Sequence, residues 1–266
     1  MTEMTTYAPG TPSWVDLGSP DIEASVGFYG ELLGWEAPES ENAEQTGGYR
    51  IATQRGKAAA GMMPLMQEGQ PPAWTTYVSV EDADATAEKV REAGGNVLAE
   101  PMDVMELGRM AIFADPTGAV FGIWQPRSFS GAEVVNEPGT FSWNELNTRD
   151  PEAAKAFYGA VFGWQAAEQD MGEAGTYVTW RHPDRGEDEV SIGGMLDIRG
   201  RVPEEVPAHW LTYFTVDDVD ETIEKATAKG GEKMIETMDL PFGRLTILKD
   251  PAGALFGIFQ STGDSA

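Results

Sequence analysis

Residues 9–35 read PGTPSWVDLGSPDIEASVGFYGELLGW, and residues 138–164 read PGTFSWNELNTRDPEAAKAFYGAVFGW. Fourteen of these 27 positions are identical. The register continues to a second matching pair, DPTGAVFGI at 115–123 and DPAGALFGI at 250–258. A repeat of this length indicates two copies of one structural unit and argues against a single large domain.

Within each copy the local pattern predicts a short strand, a helix and further short strands. Asp21 and Asp150 stand at helix N-cap positions, apolar residues then recur at helical spacing, and a Gly-Trp pair ends each helix. A second strand–helix–strand cycle follows in each copy. We therefore predict an α+β protein that uses a βαβββ module four times. The predicted boundaries are a first domain at 8–127, a linker at 128–136 and a second domain at 137–262.

Composition and charge exclude several classes of partner and site. The chain has 266 residues, 18 basic and 44 acidic, with a net charge of −26. Such a surface repels nucleic-acid phosphates and anionic membranes, so we expect neither as a partner. The chain has no Cys and only two His, which excludes disulfides, cysteine nucleophiles and His-rich metal sites. The first 49 residues carry no Lys or Arg, so we see no basic leader and expect a cytoplasmic protein.

The Phe-Tyr…Gly-Trp segment and the Asp-Pro-x-Gly-Ala turn, each present twice, resemble the signature stretches of the vicinal oxygen chelate superfamily. That superfamily contains glyoxalase I, bleomycin-resistance proteins and extradiol dioxygenases. The resemblance runs from about Pro9 to Gln260. It implies two domains, each of two βαβββ modules, whose curved mixed sheets surround a cavity that holds a divalent metal in the metal-dependent members.

The positions where the resemblance would place metal ligands carry other residues. The first-strand position holds Trp14 and Trp143, and indole nitrogen is a donor that cannot bind a cation. The remaining ligand positions hold Thr75, Leu211, Gly122 and Gly257. We therefore predict no bound metal and no other cofactor, and we disfavour glyoxalase I and extradiol chemistry, which need the metal.

Strand alternation predicts which side chains line the cavities, because residues two apart share a face. It places Asp16 beside Trp14 and Glu145 beside Trp143. The predicted acid–base candidates are Glu145, Asp16, Tyr213 and His209. The predicted ligand-binding residues are Trp14, Met62, Tyr77, Trp124, Trp143, Met195, Phe259, Arg109 and Arg244. Alternatively, Trp14 and Trp143 plug the barrels, and Asp16 and Glu145 are solvated or paired with the two arginines. His182, in the charged loop 181–189, is predicted to lie at the surface.

Three functional classes remain open. The first is a metal-independent binder of a small aromatic or cationic organic molecule, such as an antibiotic or secondary metabolite. The second is a metal-free tailoring enzyme that uses Asp16 or Glu145 as an acid/base. The third is a structural or interaction protein whose cavities are filled by its own side chains. We expect the second copy to carry the working site, and we favour a monomer over a homodimer.

Overall fold

The computed structural model describes residues 2–40, 43–67, 69–172, 175–182 and 191–263. The elements of the first half are β1 (Thr2–Glu3), β2 (Pro12–Ser19), α1 (Ile22–Leu33), α2 (Ala43–Thr46), β3 (Arg50–Gln54), β4 (Lys57–Pro64), β5 (Ala73–Ser79), α3 (Ala83–Glu92), β6 (Asn96–Val104), β7 (Gly108–Ala114), β8 (Val120–Pro126) and β9 (Val134–Val135). The elements of the second half are β10 (Phe141–Thr148), α4 (Pro151–Phe162), β11 (Gln165–Asp170), β12 (Thr176–Arg181), β13 (Gly193–Asp197), β14 (His209–Thr215), α5 (Val219–Ala228), β15 (Glu232–Lys233), β16 (Met238–Leu240), β17 (Gly243–Lys249) and β18 (Leu255–Ser261). In this part of the chain no helix is long and apolar enough to cross a bilayer.

Each half forms one large mixed sheet, and β1 and β9 pair separately as a two-stranded antiparallel sheet. The strand order is β3-β4-β2-β5-β8-β7-β6 in the first sheet and β11-β12-β13-β10-β14-β18-β17-β15 in the second, where β16 also pairs with β17. The central pairs, β2–β5 and β10–β14, are antiparallel, and each central strand has a parallel outer neighbour. The predicted α+β class with two mixed-sheet units is confirmed, and neither sheet closes into a barrel.

The first of the four modules has the fewest strands. After α1 it contributes β3 and β4, and a single bridge between Glu36 and Thr53 stands where the second half has the whole of β11. In both halves the first helix has the predicted ends. Asp21 accepts a hydrogen bond from the Ala24 amide at 3.0 Å, and Gly34 ends α1 with φ of 73°, a left-handed conformation that glycine adopts without steric cost.

The helices of each half pack against the other half, so each hydrophobic core contains residues of both halves. Helix α1 of the first half contacts α5 of the second, and α3 contacts α4. Accordingly, Phe28 on α1 is clustered with Phe256 of the second half, and Phe157 on α4 packs against Phe121 of the first. Thr76 and Thr212 both donate to Asn144 Oδ1, at 2.9 and 3.1 Å, where the central strands meet.

Candidate ligand-binding site

A chain of hydrogen bonds joins Trp14 to Asp16 on one face of the first sheet. Trp14 Nε1 donates to the Tyr49 hydroxyl at 2.7 Å, and this hydroxyl donates to Asp16 Oδ2 at 3.3 Å. Tyr77 is a further hydrogen-bond partner of Asp16. Because Trp14, Asp16 and Tyr77 are at most 5% exposed, protein donors take the place of solvent around this carboxylate.

The same network recurs in the second half. Trp143 Nε1 donates to the Tyr177 hydroxyl at 2.9 Å, which donates to Glu145 Oε2 at 2.8 Å. The Tyr213 hydroxyl and Asn147 Nδ2 donate to Glu145 Oε1, at 3.2 and 3.3 Å. The structure therefore brings together the predicted pairs of tryptophan and carboxylate, each with its tyrosine. We call the faces around these networks the first-half cleft (Trp14, Asp16, Tyr77, Trp124) and the second-half cleft (Trp143, Glu145, Tyr213, Phe259).

Two tyrosines of the networks, Tyr49 and Tyr177, were missed by the sequence reasoning. Each lies beside the strand that carries a Gly-Met pair, and a Cβ on Gly61 or Gly194 would overlap the tyrosine hydroxyl. A tyrosine at the same repeat position in both halves was the available signal. This signal alone does not identify a site residue, because a tyrosine that recurs in a repeat can equally belong to a core.

Burial changes the acidity of both carboxyl groups. It raises the pKa of Asp16 to about 7, although hydrogen bonds from Tyr77 and Tyr49 oppose the shift. Burial also raises the pKa of Glu145, against hydrogen bonds from Tyr177, Tyr213 and Asn147 and the positive charge of Arg201. The pKa of Tyr213 lies well above its usual value, because the ring is buried and faces the Glu145 carboxylate. Both tyrosines of the second network therefore act as neutral donors.

Four predicted ligand-binding residues lie on the opposite faces of the sheets, which corrects the prediction. Met62 and Met195 follow the glycines that contact the networks, so strand alternation turns them away; they are 0% and 1% exposed. Arg109 forms ion pairs with Asp84 and Asp103, and Arg244 does so with Asp220 and Asp239. The arginines therefore tie α3 and α5 to the sheets and do not neutralise Asp16 or Glu145.

The aromatic rings beside the networks differ most between the halves. In the first half the ring of Phe129, in the predicted linker, packs edge-on against Trp14 with ring centroids 4.9 Å apart, and against Trp124 at 6.0 Å. Among the described residues Trp143 contacts no other aromatic ring. Phe259, which matches Trp124, contacts Phe242 at 6.1 Å. Trp14 is buried whereas Trp143 is partly exposed, so within the described part of the chain the Trp143 indole is the more accessible of the two.

The polar end of the second-half cleft has no counterpart in the first. In register, Asn147 pairs with His209, whereas the matching pair in the first sheet is Gly18 and Ala73. His209 Nδ1 lies 2.9 Å from the carbonyl oxygen of Pro207. A carbonyl can only accept, so Nδ1 carries the proton and Nε2 of the neutral ring is an acceptor. Burial lowers the pKa of His209, which favours that neutral form.

The second histidine does not lie at the surface, contrary to prediction. The His182 side chain is buried, and Nε2 lies 2.6 Å from the Pro9 carbonyl oxygen of the other half. Most of the charged loop predicted at 181–189 lies outside the described residues. A cavity of about 320 Å³ on the helix side of β12 and β13 is lined by charged residues, but Lys155 pairs there with Glu168, and Arg199 with Asp197.

The sequence matches the family model of the Glyoxalase/Bleomycin resistance protein/Dioxygenase superfamily twice, over residues 11–123 and 134–258. These two matches cover the two sheets just described. The chain belongs to this superfamily. Its repeat is thus a tandem of two superfamily units, in line with the resemblance seen in the sequence.

Curated relatives in the superfamily match nearly the whole chain. "Putative glyoxylase CFP32" of Mycobacterium tuberculosis is 39% identical over 264 residues, covering 98% of each chain. "Anthracycline biosynthesis protein DnrV" of Streptomyces peucetius is 39% identical over 275 residues, covering 97% of this chain and 95% of the relative. Because the coverage is almost complete, both halves of this protein have counterparts in those relatives.

Solved structures of superfamily members share the fold at low sequence identity. The Mn(II)-bound glyoxalase from Novosphingobium aromaticivorans has a TM-score of 0.64 at 15% identity and covers 95% of this chain and 82% of its own. The 2,3-dioxygenase LapB from Pseudomonas sp. KL28 has a TM-score of 0.63 at 12% identity, covering 97% and 94%. At these identities the likeness shows the fold of this chain.

The residues of both clefts do not fit the metal that the superfamily implies. Within the described residues no group of three His, Asp or Glu side chains is placed to hold an ion. A Cβ at Gly122 or Gly257 would overlap the ring of Tyr77 or Tyr213, so a tyrosine ring occupies the space of the carboxylate ligand. The one carboxylate in each cleft is instead held by tyrosine hydroxyls. A single carboxylate that accepts hydrogen bonds from tyrosines offers too few oxygen ligands for a divalent cation.

Proposed function

We propose that this protein binds a planar, hydroxylated aromatic molecule of the anthracycline kind in the second-half cleft, without a metal. The observation that carries the proposal is the partial exposure of the Trp143 indole. Its counterpart Trp14 is covered by Phe129, whereas Trp143 has no ring partner among the described residues. Tryptophan faces are favourable contact surfaces for flat aromatic ligands, because they bury a large apolar area at low cost in side-chain entropy.

The polar groups of the cleft support a ligand that carries hydroxyl groups. His209 Nε2 is an acceptor on the sheet face that also holds Asn147 and Glu145. Asn147 and His209 lie four residues along β10 from Trp143, so a hydroxyl at one end of a fused-ring ligand can donate to this acceptor while another ring of the ligand lies against Trp143. The net charge of −26 disfavours an anionic ligand. Relatives named for anthracycline biosynthesis, 39% identical along almost the whole chain, support this ligand class and a place in secondary metabolism.

A titration with an anthracycline aglycone, followed by quenching of tryptophan fluorescence, tests the proposal. Trp143→Ala should weaken binding by roughly 1 to 3 kcal/mol through lost aromatic contact. Met238 and Met102 provide a matched pair at the edges of the two clefts. Met238 pairs through Leu245 with Phe259, and Met102 pairs through Met110 with Trp124, so each shares the face of its cleft; they are 46% and 47% exposed. Met238→Ser should weaken binding a few fold and Met102→Ser should leave it unchanged. No binding by the wild type, or equal effects of the two serine variants, would refute the proposal.

A second candidate function is metal-free acid–base catalysis on the same molecule. It is favoured by the buried Glu145, because burial raises its pKa and the carboxyl group keeps its proton to a higher pH than an exposed glutamate does. In this role Glu145 would move the proton, Tyr213 and Tyr177 would hold the carboxylate in place, and His209 would orient the substrate hydroxyl. Turnover of the bound aglycone distinguishes this candidate from simple binding.

A further inference from the structure

We propose that the first-half cleft is a second aromatic-binding site and that Phe129 of the same chain is its built-in occupant. This inference rests on the proposed function for the class of ligand. The ring of Phe129 lies between the two indoles of the cleft, edge-on to both, at 88° to Trp14 and 77° to Trp124. Edge-to-face contact is one of the preferred geometries between aromatic rings, so both indoles hold the ring of Phe129 by favourable contacts.

The floor beneath this ring is the same as in the second-half cleft. Asp16 accepts from Tyr49 as Glu145 accepts from Tyr177, and each tryptophan donates to its tyrosine. In the sequence repeat, position 264 aligns with Phe129 and holds Asp. Among the described residues, the ring of Phe129 between two indoles has no equivalent in the second-half cleft.

The segment that carries Phe129 is anchored by its backbone and by Ser128, independently of the ring. The Phe129 amide donates to the Leu107 carbonyl at 3.1 Å, Ser128 Oγ donates to the Glu106 carbonyl at 2.7 Å, and Trp124 Nε1 donates to the Phe129 carbonyl at 2.8 Å. None of these bonds involves the side chain of Phe129. Phe129→Ala therefore removes the ring while the segment stays in place, and the partial exposure of the ring leaves the space open to solvent.

The test is the number of anthracycline aglycone molecules bound, measured by isothermal titration. The wild type should bind one equivalent, and Phe129→Ala should bind two. The double variant Phe129→Ala/Trp143→Ala should lose most of the second-half binding and keep the new site. Phe242→Ala is the matched control, because it removes a ring from the cleft that is already open and should add no site. If Phe129→Ala fails to fold, Phe129→Val is measured in the same way.

The outcomes separate this inference from the proposed function. One equivalent for both the wild type and Phe129→Ala overturns the inference and leaves the proposed function standing. No binding by the wild type refutes the proposed function, and one new equivalent in Phe129→Ala then still supports a site in the first half. No binding by either protein overturns both.

Discussion

The Tyr29 hydroxyl in the first half donates a hydrogen bond to Asp250 Oδ2 in the second half at 3.0 Å, and Tyr158 does the same to Asp115 at 3.0 Å. Each tyrosine belongs to the Phe-Tyr segment of one half, and each aspartate to the Asp-Pro-x-Gly turn of the other. The two signature stretches of the sequence thus hold the halves together reciprocally. This contact explains why both signatures occur in both copies.

Removing either hydroxyl should weaken the joint between the halves. Tyr29→Phe and Tyr158→Phe should each lower the free energy of unfolding by about 1.5 to 3 kcal/mol, the usual value for a buried hydrogen bond to a charged group. Urea denaturation measures the change. Tyr7→Phe is the control, since its hydroxyl donates to the neutral carbonyl of Ala132 outside this joint. A loss no larger than the control's would contradict the assigned role.

Asp16 should make stability depend on pH in a defined direction. Its pKa is about 7 in the folded chain and near 3.8 when unfolded, so the folded state binds the proton more tightly. The contribution of Asp16 to stability is therefore highest below about pH 4 and falls by up to roughly 4 kcal/mol as the pH rises through 7. Asp16→Asn cannot titrate and should gain stability relative to the wild type between pH 5 and 8. If the stabilities of both proteins change with pH in the same way across this range, the raised pKa of Asp16 is refuted.

Glu145→Gln distinguishes the two candidate functions of the second-half cleft. For a binder of a neutral aromatic molecule, the nearly isosteric amide should leave affinity within a few fold. For an acid–base catalyst, turnover should fall by about 10² to 10⁴ while binding is retained. Affinity, turnover and melting temperature are measured together. If affinity and turnover are both unchanged in the folded variant, Glu145 does not serve the working site.

Two glycine-to-alanine substitutions should act in opposite directions. A Cβ at Gly257 overlaps the Tyr213 ring, so Gly257→Ala should destabilise the protein by at least about 2 kcal/mol through overpacking. A Cβ at Gly27, inside α1, would meet no neighbouring group within 4 Å, so Gly27→Ala should stabilise by about 0.5 to 1 kcal/mol. Thermal unfolding reports both. If alanine is tolerated equally well at Gly257 and Gly27, the Tyr213 ring does not fill the space of the ligand position at Gly257.

Chelation should not affect this protein. The ligand positions hold Trp14, Trp143 and residues without metal-binding groups, so we expect no stoichiometric divalent metal in the purified protein and no change of melting temperature with a chelator. Elemental analysis and thermal unfolding of one sample provide the measurement. A single equivalent of zinc, nickel, manganese or iron whose removal lowers the melting temperature would refute this expectation.

Much of the candidate site follows from local rules, and the wrong predictions have two separate causes. Strand alternation correctly grouped Trp143, Glu145 and Tyr213, because side chains two apart share a face whatever the surroundings. Applied to β4 and β13, the same rule places Met62 and Met195 on the opposite face from the glycines that precede them, and therefore away from the networks. Arg109 lay beyond sequence reasoning, because its partners Asp84 and Asp103 come from a helix and a neighbouring strand.

The repeat, the helix caps and the missing metal ligands can be read from the amino-acid sequence alone, because each depends on residue type at short spacing. The covering of Trp14 by Phe129 and the sharing of cores between the halves emerge only in the folded chain. Phe129 reaches Trp14, and Tyr29 reaches Asp250, only once distant segments have packed together. Such contacts depend on the positions of whole sheets and helices, and these are set by the sum of many weak burial energies rather than by any local pattern.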